Sequence, residues 1–226
     1  MSEMTTTAGS GKASSVRRAR LSTGVAGLTF AVLYQVGNSG LASLPGAPTG
    51  TESDADLARY FANNSRGVFI FAVLVIVSTA FLVWFAYGFR GSLLTIDPSR
   101  AATPGEVVVG AGVAAAAIIL CALLLVVSAA ERSSRELLPP DTARTLWELS
   151  NGIGVLLVFP AAALTAAVAV VARRVPHLPR WLRRTAPPLA VLLLVVVVGW
   201  LSIKLWCIWL IALSASLLRG RRWNGN

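Results

Sequence analysis

The sequence predicts an all-α fold, a polytopic membrane helix bundle of about five transmembrane helices, and three observations carry that prediction. Of 226 residues, 55% are hydrophobic and only 13% charged, and the mean hydropathy is +0.70; a water-soluble domain is about 25% charged. Four uncharged runs, 21–43, 67–89, 107–130 and 152–172, and a fifth, 189–218, broken only by Lys204, are each long enough to cross about 30 Å of hydrocarbon at about 1.5 Å per residue. None shows the period-two alternation of a barrel strand, so each must satisfy its backbone as a helix.

Taken in order, residues 1–20 are small, polar and basic, ending in Arg17, Arg18 and Arg20, and read as a disordered cytoplasmic tail. The segment Gly9-Ser-Gly-Lys12 lacks the remaining positions of a phosphate loop. Run 21–43 is the most polar of the five, and its basic flank with Gly40-Leu-Ala-Ser43 also fits a signal peptide. Tyr34, Gln35 and Asn38 interrupt the plain apolar stretch that a signal requires, so it is assigned as a span. Ser53 with Asp56 resembles a capping signal, followed by Leu57, Tyr60 and Phe61 on one face. Thr103-Pro-Gly-Glu106 reads as a helix start, with Pro104 at the first helical position and Glu106 reaching back to the cap. Asp141, after Pro139 and Pro140, starts a segment that turns Leu146 and Trp147 inward. Pro160 is expected to bend the fourth span. Gly110 with Ala114 and Gly112 with Ala116 would let span three approach its neighbours closely. The fifth span is placed at 189–212 within a transmembrane domain of 21–218, leaving 219–226 as a short basic tail.

Charge in the connections sets the orientation. With the N-terminus inside, eleven basic residues fall on the inner segments and eight on the outer ones, where seven acids dilute the first two loops. That bias predicts a cytoplasmic N-terminus and an external C-terminus in the plasma membrane. Arg219, Arg221 and Arg222 argue the other way, and a hairpin in 189–218 would bring them inside, but two passes of about 15 residues are each too short to span.

The net charge of +10 would suggest nucleic acid in a soluble protein. Here the basic segment Arg173, Arg174, Arg180, Arg183 and Arg184, with Trp181, lies between two spans, so the expected partner is the lipid bilayer with anionic headgroups at 173–184, and no nucleic acid is expected. His177 in that segment has no acid or nucleophile beside it in sequence. Cys121 and Cys207 sit singly in apolar runs, which fits small core side chains better than a metal or disulfide framework. No cofactor, metal or catalytic residue is expected.

Lys204 is the residue that most invites a function, because an ionisable group in an apolar helix costs roughly 2.5–3.5 kcal/mol on insertion scales. A helix entered at Leu189 carries it about 22 Å up, near Trp200, Trp206 and Trp209, which would form an aromatic belt with Trp200 placed for a cation–π contact. Snorkelling to the headgroups is the plain structural role. The alternative is a small polar chamber in the outer leaflet, made by Lys204 with Gln35, Asn38, Asn63, Glu131, Glu148 and Asn151, the lysine pairing with Glu131 or Glu148.

Asp56-Leu-Ala-Arg-Tyr-Phe-Ala-Asn-Asn-Ser-Arg-Gly67 matches Asp141-Thr-Ala-Arg-Thr-Leu-Trp-Glu-Leu-Ser-Asn-Gly152 at five of twelve positions, an offset that lays span one on three and span two on four, as a parallel two-hairpin repeat plus one helix would. The basic N-terminal segment, Asp56-Leu-Ala-Arg-Tyr-Phe61 before span two, and Leu178-Pro-Arg-Trp-Leu182 before the last helix resemble a broad group of bacterial, actinobacterial-type integral membrane proteins that carries no assigned activity. That resemblance, over 20–212, implies fold and location only. The functional expectation is a non-catalytic structural, accessory or small-molecule-sensing component; the alternative is a small permease or channel subunit around Lys204, which would work as a homo-oligomer.

Overall fold

The computed structural model describes residues 7–136, 138–175, 178–195 and 199–219. Among them the chain is helical without strands, as expected for an all-α bundle. The elements are α1 (Thr7–Ser43), α2 (Asp54–Ile96), α3 (Pro98–Arg135), α4 (Pro140–Val155), α5 (Val158–Arg174), α6 (Arg180–Leu194) and α7 (Gly199–Arg219). Four stretches are long and apolar enough to cross a membrane: Asp54–Ile96, Pro98–Arg135, Pro140–Arg174 and Leu201–Arg219. Runs 67–89, 107–130 and 152–172 fall inside the first three.

The side-chain register shows how the helices alternate. Gly27 backs onto Phe85, Gly37 onto Val75 and Gly40 onto Phe71, so α1 and α2 are antiparallel. Gly105 against Arg90 and Gly112 against Ala86 set α3 antiparallel to α2. Ser150 donates to the Ala122 carbonyl (2.8 Å) and Arg100 to the Arg174 carbonyl (2.9 Å), which brings α4 and α5 back along α3. These contacts bury Phe30, Leu82, Phe85, Phe89, Leu164, Leu193 and Leu210 in one core. A second, smaller core joins Leu57, Tyr60, Phe61, Ala129, Ala130 and Ala143 at the end of the bundle where α2 and α4 begin, the cap end.

The last expected span is divided. α6 starts at Arg180, inside the basic segment, and α7 starts at Gly199. Trp209 Nε1 donates to Thr185 Oγ1 across 3.1 Å, and the Trp181 and Trp209 rings lie 6.4 Å apart. Thr185 lies nine residues before the end of α6 at Leu194 and Trp209 ten after the start of α7 at Gly199, so α6 and α7 pack as an antiparallel pair. The register of α7 on α1 agrees: Gly24 meets Leu218, Gly27 meets Ser214, and Phe30 meets Trp206. Arg219 therefore lies at the same end as Arg20, which corrects the placement of the chain end opposite the N-terminus. The length argument against a hairpin counted only the apolar run of 189–218. It left out Arg180–Pro188, where five of the nine residues are arginine, threonine or tryptophan, and which supply the first half of α6.

Other local expectations shift as well. α1 extends back to Thr7, so residues 7–20, expected as a disordered tail, are helical and continuous with the first apolar run. α3 starts five residues before Thr103: Asp97 caps it by accepting from Arg100 N (3.1 Å), and Pro98 takes the first helical position. Pro104 is then inside the helix, and Glu106 reaches Arg90 (2.5 Å) rather than a cap. The bend expected from Pro160 is present, as a break at Leu156–Leu157. Proline cannot donate to the carbonyl of Leu156, four residues earlier, which accepts instead from Phe159 N (3.2 Å), while three-residue bonds from Leu156 N to Ile153 and Leu157 N to Gly154 tighten the preceding turn.

Candidate functional site

At the cap end the loop from α1 into α2 is built by its own polar groups. Gly46 and Gly50 hold positive φ (71° and 107°), where a side chain would be strained. The Glu52 carboxylate accepts from Thr49 N (2.5 Å), Thr49 Oγ1 (2.6 Å) and Gly50 N (2.8 Å), and these donors pull its carboxyl down to about 2. Ser53 and Asp56 make the capping box expected for the start of α2, and Leu57, Tyr60 and Phe61 are buried behind it. Asn64 ties the loop down by donating to the Pro45 carbonyl (3.0 Å).

Arg144 of α4 closes this end. Its guanidinium reaches Asp54 (2.7 Å) and Glu148 (3.8 Å) and donates to the Glu52 carbonyl, fastening α4 to the start of α2. Below it, Trp147 packs edge-on against Phe61, with ring centres 6.3 Å apart. This clasp was not legible in advance. Arg144 matches Arg59 in the internal repeat, but Arg59 pairs within its own helix, with Asp56 (2.6 Å), whereas the partner of Arg144 is 90 residues away.

The opposite end is basic. α1 brings Arg17, Arg18 and Arg20 there, α2 and α3 bring Arg90 and Arg100, the α5–α6 hairpin brings Arg173, Arg174, Arg180, Arg183 and Arg184, and α7 brings Arg219. Among the described residues its acids are Asp97 and Glu106, held by Arg100 and Arg90. The cap end carries five arginines, Arg59, Arg66, Arg132, Arg135 and Arg144, among seven acids. Trp181, expected at an interface, is half-buried on Trp209. His177 lies outside the described residues.

The residues expected to form one polar chamber are distributed over several elements. Glu131 pairs with Arg135 on its own helix (2.8 Å) and Glu148 with Arg144, so neither carboxylate serves Lys204. Asn63 is exposed on α2 and Asn151 is half-buried on α4. Gln35 and Asn38 lie on α1, which packs along the α7 that carries Lys204. The register that sets Gly24 on Leu218 puts Asn38 of α1 level with Lys204 of α7, and Gln35 hydrogen-bonds Cys207.

Lys204 sits on the outward face of α7 with Leu201, Leu205 and Ile208. The expected aromatic belt does not surround it. Trp206 is fully buried against Phe30 and Trp209 is buried against Trp181, and the side chain of Trp200 lies outside the described residues. Of the two cysteines, Cys207 is buried as expected while Cys121 is exposed on α3.

Close approach is the work of glycines, and more of them than sequence spacing suggested. A Cβ at Gly112 would fall 2.6 Å from Ala86, but Gly110 faces open space. The tighter contacts belong to α1, where a Cβ at Gly27 would meet Ser214 Oγ at 2.3 Å and the Phe85 ring at 2.6 Å. The polar composition of 21–43 is thus explained by a helix packed on both sides, against α2 and α7. No family model, curated protein or solved structure matches the chain.

Proposed function

We propose that this chain is a multi-pass protein of the bacterial plasma membrane, with its N-terminus and the end of α7 in the cytoplasm, acting without catalysis as a structural or accessory component. The observation that carries the reading is the gathering of arginines from six helices at one end of the bundle, facing an ion-paired cap at the other. Cytoplasmic segments concentrate arginine and lysine, and the anionic inner leaflet attracts each such residue by about 1 kcal/mol. A non-catalytic role is favoured because Glu131 and Glu148, the carboxylates best placed for chemistry, are engaged by Arg135 and Arg144, and because Lys204 faces outward from the bundle rather than into it.

The test is thermal unfolding of the full chain in phosphatidylcholine vesicles with and without phosphatidylglycerol. Anionic lipid is expected to raise the melting temperature, and replacing Arg173, Arg174, Arg180, Arg183 and Arg184 by glutamine is expected to remove most of that rise. Equal melting in both lipids, or a rise untouched by the replacements, would sink the proposal. A permease would instead show solute flux in the same vesicles that Lys204→Met abolishes.

A further inference from the structure

We propose that the cap-end half of the α1–α7 seam docks a transmembrane helix of another membrane protein, one that carries an aspartate or glutamate at the depth of Lys204. The inference rests on the accessory role proposed above and names the kind of partner that role requires.

Lys204 lies five residues, about 7.5 Å, inside the start of α7. Its neighbours on that face are apolar and outward: Leu201 is 54% exposed and Ile208 61%. It makes no ion pair among the described residues. Asn38, at the same level on α1 and half-buried, makes no side-chain hydrogen bond among them either, and Ser39 beside it is exposed. An ammonium and an amide thus lie at one level of a seam whose outward neighbours on α7, Leu201, Leu205 and Ile208, are apolar. A cation and an amide at that depth are stabilised by a carboxylate, which accepts from both, and polar side chains of this kind join helices in membranes.

A second copy of this chain does not supply that group. The five apolar runs contain no aspartate or glutamate, and a two-fold pairing through this face would set one Lys204 against the other. Charge complementarity therefore points to a different chain. A lysine that only reaches the headgroups would leave Asn38 without a partner.

The probe is a synthetic polyleucine transmembrane peptide bearing one aspartate in its outer third, with leucine and asparagine versions as controls. Association with the labelled full chain is read by energy transfer in phosphatidylcholine vesicles, at a pH that ionises the carboxyl. The aspartate peptide is expected to bind about threefold to thirtyfold more tightly than the leucine peptide. Lys204→Met should remove that preference at unchanged melting temperature, and Lys204→Arg should keep it. Equal binding of aspartate and leucine peptides, as snorkelling alone would give, overturns the proposal, and so does a preference that survives Lys204→Met. If the peptides bind equally while phosphatidylglycerol still raises the melting temperature, docking fails and the accessory reading stands; the reverse pair of results separates them the other way.

Discussion

A single hydrogen atom decides how closely α1 packs. At Gly27 the space for a Cβ is already taken by Ser214 and Phe85, whereas at Gly110 it is empty. Gly27→Ala is therefore expected to destabilise the bundle by about 1–3 kcal/mol through overpacking. Gly110→Ala should be neutral or stabilising by up to about 1 kcal/mol, the helix-propensity difference. Melting temperatures of the two purified variants check both, and a Gly27→Ala variant as stable as the parent would show that α1 does not sit where described. Sequence spacing selected Gly110 and Gly112 equally, because a four-residue repeat marks a helix face without saying what lies against it. The α1 glycines were visible only as a loss of hydropathy. Lys204 was legible as an anomaly from its charge alone, but the face it occupies depends on α7 turning back along α1, which no local pattern encodes.

Between elements, the cap is held by the α1–α2 loop and the clasp from α4. The Glu52 carboxyl is pulled down to about 2, below its ordinary value of 4.5, by donors from Thr49 and Gly50. A carboxyl lowered in the folded state contributes stability that is complete above the unfolded value and is lost as pH falls through the folded one. The cap should therefore weaken as pH falls from about 4.5 towards 2. Glu52→Gln should melt lower than the parent above this window and show a flatter pH profile within it; parallel profiles would assign the acid sensitivity elsewhere. The start of α2 and the break near Pro160 were legible because capping boxes and prolines act within a few residues. The start of α3 was misplaced because Asp97-Pro98 and Thr103-Pro104 both resemble helix starts. Asp97 prevails, through its bond to Arg100 N, and Pro104 is tolerated in the second turn.

For the whole molecule, the hairpin of α6 and α7 reverses the sense of the chain end. With α7 antiparallel to α1, the charge bias that sequence counting left divided becomes consistent: Arg219 joins the arginines of α1, α3 and the α5–α6 hairpin. Hydropathy identified the bundle and three of its spans, since length and composition suffice for a continuous apolar helix. It treated 189–218 as one pass because no polar residue in 189–198 separates the end of α6 from the start of α7. The most direct test of this architecture is side-specific labelling by a membrane-impermeant thiol reagent. Single cysteines at Arg18, Glu148 and Arg219 are placed in a background with Cys121 and Cys207 replaced by alanine. Positions 18 and 219 should label from the same side and 148 from the opposite one. Labelling of 219 together with 148 would restore a single last span and contradict the hairpin, and with it the seam that presents Lys204.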